Sequence, residues 1–129
     1  MEVRQLLILS AAMLAMTGGP GYGQGSKEPY VRVAEIEIDL VQLEPYQAAV
    51  KEQIEAALRI EPGVLALYSV ADKENPAHIT VFEIYTDAEA YKTHLETAHF
   101  KNYKTATQDI VKSLKLRETV PIVLGVKRR

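Results

Sequence analysis

The 129-residue sequence contains no cysteine. That single absence removes disulfides, thiolate nucleophiles, iron–sulfur clusters and cysteine-ligated zinc. An excess of one charge is also missing. The net charge is −2, so no broad basic field invites nucleic acid, and Lys127, Arg128 and Arg129 make only a short solvated tail. Neither G-x-G-x-x-G after the first strand nor a P-loop is present, so no nucleotide cofactor is signalled. Long hydrophobic runs are lacking as well. The most apolar stretch, Leu6 to Met16 (LLILSAAMLAM), falls short of the roughly 20 residues a bilayer span needs.

That stretch has the form of a signal peptide. Arg4 supplies the positive n-region, the apolar run follows, and small residues succeed it in TGGPGYGQG. Residues 1–25 are therefore read as the signal, with cleavage expected between Thr17 and Ser26. No cysteine follows the run, which excludes a lipid-anchored form. The expectation is export to a bacterial periplasm or secretion, with no membrane attachment after cleavage. Residues 26–129 are then one domain with room for one modest core.

Tyr30 to Leu40 (YVRVAEIEIDL) alternates, with Ala34, Ile36, Ile38 and Leu40 facing one way and Glu35, Glu37 and Asp39 the other, so it is a strand. Leu43 to Ile60 is a helix with Pro45 in its first turn and a stripe of Tyr46, Ala49, Val50, Ile54, Ala57 and Leu58. Glu61-Pro62-Gly63 stops it, with Gly63 expected to accept positive φ. Val64 to Ala71 and His78 to Thr86 are two strands joined by the polar turn DKENP. Asp87 caps a short helix to Glu96, and Thr97 caps another with Phe100, Tyr103, Thr107, Ile110, Val111 and Leu114 inward. Val120 to Val126 (VPIVLGV) is expected to close the chain as an edge strand.

This order, β-α-β-β-α-β, is an α+β, ferredoxin-like arrangement with helices on one face of an antiparallel sheet. The other face carries apolar side chains with nothing left in the chain to cover them. A homodimer with two sheets packed face to face is the expected solution.

The run from Glu61 to Tyr103, with EPGV entering the second strand, EIY before DAEAY, and His94 followed by His99-Phe100 and Tyr103, resembles the antibiotic biosynthesis monooxygenase domain. This family includes small quinol monooxygenases, and the likeness extends from about Tyr30 to Val126. It implies a dimeric α+β barrel that oxidises a small electron-rich aromatic, quinol-like substrate with molecular oxygen, without flavin or metal. Many relatives carry tryptophan where this chain has Tyr85, a departure from the pattern. The haem-degrading branch of the superfamily uses a histidine where Lys104 stands and a tryptophan where His94 stands, so neither feature is kept.

Two histidines are the candidate catalytic residues. His99 falls in the first turn after Thr97, where the positive helix end disfavours its charged form. On an unbroken helix His94 would lie about 140° around from it, so only a break near Thr97 would bring the two together. They lack the i, i+4 spacing of a metal pair and a nearby third ligand in sequence, so no metal is assigned. Tyr85, Tyr68, Phe82, Phe100 and Tyr103 are the candidate substrate-binding residues, with Tyr68 and Phe82 expected to line a cavity. The competing readings are a non-catalytic dimeric module that holds a small apolar ligand in the same fold and, third, haem binding or degradation.

Overall fold

The computed structural model describes residues 28–129; the signal peptide expected over 1–25 lies outside the described residues. Strand β1 (Tyr30–Ile38) leads through a short 3-10 turn, Leu40–Gln42, into helix α1 (Leu43–Ile60). Strands β2 (Val64–Ala71) and β3 (His78–Tyr85) follow, then helices α2 (Ala88–Leu95) and α3 (Ala98–Thr107), and finally β4 (Val111–Glu118). The sheet is antiparallel in the order β2-β3-β1-β4. This is the ferredoxin-like α+β fold the periodicities imply, with its second helix broken in two.

The period-2 pattern sorts each strand into two faces. On the helix side, Ala34, Ile36 and Ile38 meet Ile79 and Val81, and pack with Tyr46, Ile110 and Val111 into the main core. A second cluster joins Ala57, Val64, Leu67, Tyr85 and Tyr91 toward the other end. The buried face of α1 is Tyr46, Gln53, Ala56 and Ala57, so a polar residue sits within the stripe while Leu58 lies half-exposed. Leu40 also leaves the core and enters the exposed 3-10 turn, which Asp39 caps by accepting from the Val41 amide.

The last strand is not where the sequence placed it. It covers Val111–Glu118, and the expected strand over 120–126 has no regular structure, with Ile122 fully exposed. The reason is a bulge. Leu114 pairs with Ile36 and Val111 with Ile38, so the register slips between Glu37 and Ile38 and Lys112 is the extra residue. The slip puts Val111 and Leu114 three apart on one face, a spacing that imitates a helix continuing from Tyr103 and Thr107. The helix in fact ends at Thr107, where the Ile110 amide bonds back to the Thr107 carbonyl at 2.9 Å.

Gly63 has a different purpose from the one expected. Its φ lies outside the left-handed region; instead a Cβ there would stand 2.5 Å from the Ala90 Cβ and 3.3 Å from Thr86 Oγ1. The glycine lets α2 lie against the start of β2. Gly63→Ala should therefore destabilise the protein by about 1–3 kcal/mol through overpacking. A urea midpoint unchanged from wild type would show that this close approach is not a constraint.

Candidate active site

The residues that could carry chemistry converge where α1 ends and α2 meets α3. Thr97 makes the break between the latter two helices. Its Oγ1 accepts from the Phe100 amide at 3.2 Å as the N-cap of α3, and donates to the His94 carbonyl at 2.7 Å. The sharp turn swings His99 back beside His94, and the two rings lie 6.1 Å apart. An intact helix would have kept them on separate faces.

Glu61 joins them. As the C-cap of α1 it is extended, and its buried side chain reaches both imidazoles through one oxygen. His94 Nδ1 donates to Glu61 Oε2 at 2.8 Å, and His99 Nε2 donates to the same oxygen at 2.5 Å. The side chains of His94 and Glu61 are almost fully buried, whereas that of His99 is 12% exposed. Aromatic rings wedge His94 in place, with Phe100 at 5.0 Å and Tyr85 at 5.5 Å between centroids. Burial pushes the His94 imidazole below its ordinary value of 6.5, against the opposing pull of Glu61, so it is neutral at pH 7.

A cavity of about 610 Å³ opens beside this cluster, between the helices and the sheet. Its size is within the usual range for small-molecule sites. Ala34, Ile36, Leu67, Val81, Leu114 and Leu116 make its apolar wall; Phe100 and Tyr103 line it from α3, and His94 from α2. With Nδ1 taken by Glu61, exchange between His94 and a cavity ligand runs through Nε2. Gln53 and Glu83 add polar groups to its lining. Gln53 Oε1 is buried with no hydrogen-bond partner, an acceptor in want of a donor. Glu83 accepts from the Tyr85 hydroxyl at 2.7 Å, and burial raises its carboxyl above the ordinary 4.5 despite that bond and the Arg32 charge.

Arg32 is the register partner of Glu83 on the same face. Its guanidinium sits 4.5 Å over the Tyr91 ring, and burial together with other effects lifts the Tyr91 phenol to about 12. Tyr103 shares a hydrogen bond with Tyr46 at 2.9 Å, and its burial pushes the phenol well above 10. Both phenols stay protonated at neutral pH.

The structure thus brings together His94, His99, Phe100 and Tyr103, with Tyr85 packed behind them. Tyr68 and Phe82 were expected to line the cavity and do not. Each is one residue out of phase with the inward set of its strand, so both project from the helix-free face, 54% and 36% exposed. The premise that the histidines lack a third ligand is also corrected, since Glu61 stands between them. Sequence reasoning passed over Glu61 because Glu-Pro-Gly reads as a stop. One signal was available: an acidic residue at a helix C-terminus opposes the dipole and calls for a compensating role.

Stability should report the neutral, buried His94. The unfolded chain binds a proton near pH 6.5 that the folded one resists, so this contribution is complete above 6.5 and is lost as the pH falls below it. His78 has the opposite sign, because its bond to Glu37 raises its pKa. The difference between wild type and His94→Asn isolates the effect: in urea unfolding between pH 7.5 and pH 5.5, wild type should lose more stability than the variant. Parallel profiles would contradict a lowered His94 pKa.

Residues 29–106 match the family model described as "Antibiotic biosynthesis monooxygenase". Among solved structures, the chain is 48% identical to a Bacteroides thetaiotaomicron protein assigned to the antibiotic biosynthesis monooxygenases, with 81% of this chain and 100% of that one covered and a TM-score of 0.76. A Lactobacillus acidophilus protein assigned as a monooxygenase is 28% identical over 74% of this chain, with a TM-score of 0.71, and the match spans only 45% of its length. A Nitrosomonas europaea structure at 19% identity and TM-score 0.70, covering 75% of this chain and 93% of that one, shares the fold. A search of curated sequences finds no match. The family match and the shared fold agree: the chain belongs to the antibiotic biosynthesis monooxygenase family.

Proposed function

We propose that the protein is an exported, cofactor-independent monooxygenase that oxidises a small, electron-rich aromatic of the quinol class with molecular oxygen. The observation that carries this reading is the Glu61–His94 pair set against an apolar cavity. A neutral imidazole whose Nδ1 proton is held by a carboxylate presents Nε2 as a proton acceptor. Glu61 stabilises the imidazolium once the proton has moved, as a buried carboxylate does for a catalytic histidine.

Removing a phenolic proton leaves an anion rich enough in electrons to reduce oxygen directly. A hydroquinone and O₂ then give a hydroxylated quinone and water, with the substrate furnishing all four electrons. The apolar wall excludes water from the anion, and the neutral Tyr103 hydroxyl lies at the cavity as a hydrogen-bonding group. Gln53 Oε1 offers an acceptor for a second substrate hydroxyl. His99 supports the relay through Glu61. The apolar run Leu6 to Met16 supports the reading that the mature protein works in the periplasm or outside the cell.

A second copy completes the particle in this account. Tyr68, Val70 and Phe82 leave an apolar surface on the helix-free face, the side on which a partner sheet would pack. Tyr68→Glu with Phe82→Glu should turn a dimer into a monomer by light scattering. A monomeric wild type would contradict that arrangement.

The activity is tested by oxygen uptake of metal-free protein with a panel of hydroquinones. Uptake should exceed autoxidation, and Glu61→Gln should lower kcat by tenfold or more with a smaller change in KM. No uptake above the autoxidation background would favour a ligand-binding module instead.

A further inference from the structure

The Glu61 cluster carries a charge problem that the proposed reaction does not resolve. Glu61 is buried, and its ion-pair partners among the described residues are the two imidazoles. Lysine and arginine are absent from that set. Buried charges are ordinarily paired with a permanent opposite charge or coordinate a metal. A carboxylate between two nitrogen donors is also a ligand set for which transition cations are well suited.

We propose that Glu61, His94 and His99 form a binding site for a divalent first-row transition cation, with Zn²⁺ the representative. Their ligand atoms all lie within 4.8 Å of one another. The arrangement is at present closed by hydrogen bonds of 2.8 and 2.5 Å. Tetrahedral bonds of about 2.0–2.2 Å place neighbouring ligand atoms about 3.3–3.5 Å apart, so each nitrogen opens from the Glu61 oxygen by about 1 Å or less, while the two nitrogens, within 4.8 Å of each other, settle to the same spacing. The junction is suited to that movement, because Glu61 lies just past the end of one helix and His99 in the first turn of another.

The protons rearrange without net loss. His94 moves its proton from Nδ1 to Nε2, His99 moves its own from Nε2 to Nδ1, and the cation takes the two vacated lone pairs and the carboxylate. With three protein ligands a fourth position stays open. The consequence for the cavity rests on the reaction proposed above. His94 would present an N–H at Nε2 instead of a lone pair, so the cation converts a proton acceptor into a donor and switches the base off.

Titration of the metal-free full chain with Co²⁺, read by its visible d–d absorption, and with Zn²⁺ by calorimetry, tests the site without reference to turnover. One cation per chain is expected, with the intense spectrum of low coordination number. Glu61→Gln and His99→Ala, each checked for folding by circular dichroism, should weaken binding at least tenfold, while His78→Ala leaves it unchanged. Absence of saturable binding, or binding unaffected by both Glu61→Gln and His99→Ala, would overturn the site. In the uptake assay, Zn²⁺ at saturation should lower turnover at least tenfold and a chelator should restore it. Full turnover with the site filled would overturn the switch, whereas binding in a protein with no uptake would sink only the proposed reaction.

Discussion

The single oxygen of Glu61 that accepts from two imidazoles is the constraint on which the rest of the site depends. A carboxylate can be taken out of water only when its lone pairs are met, and hydrogen bonds to charged groups are worth about 1.5–3 kcal/mol each. Meeting them requires His94 and His99 to be on the same side, which a continuous helix forbids. The break at Thr97 is thus a structural requirement of the carboxylate, and its cap repays part of the cost by satisfying the Phe100 amide. The same bond turns the His94 ring, fixing which of its nitrogens is left for the cavity.

The sheet divides the labour. Its helix-side face is apolar in the middle, where Ala34, Ile36 and Val81 lie, and polar at one end, where Arg32 and Glu83 are register partners. Polar groups placed there cost stability. Glu83 is driven toward its neutral form, Arg32 Nε finds no partner, and Gln53 Oε1 is stranded on the buried face of α1. Such costs gathered around one cavity are what a ligand with complementary hydroxyls would offset. The opposite face carries the Glu37–His78 and Glu35–Arg117 pairs and presents Tyr68, Val70 and Phe82 outward.

Much of this was legible because the sequence signals were local. The alternation in β1, the i, i+4 stripe of α1 and the caps Asp87 and Thr97 each state their element within a few residues. The failures were not local. The final strand was misplaced because Lys112 bulges, and a bulge is decided by the partner strand. Residue type alone points Tyr68 and Phe82 to the cavity, whereas their phase along the strand puts them outside it. Glu-Pro-Gly marks Gly63 as a turn residue in sequence, although the close approach it permits is to Ala90, 27 positions further on. The two histidines were visible from the start. Their partner was hidden in a stop signal and emerged only when the end of α1 met the junction of α2 and α3.

The central claim is that burial keeps His94 neutral against the pull of Glu61, while Glu61 holds its proton on Nδ1 and leaves Nε2 toward the cavity. Long-range proton–nitrogen correlation spectra of the imidazole rings, recorded on metal-free protein at pH 7, read the tautomer directly. The account requires a neutral His94 in the Nδ1–H form, changed in Glu61→Gln. A His94 imidazolium at that pH, or a neutral ring with its proton on Nε2, would contradict it.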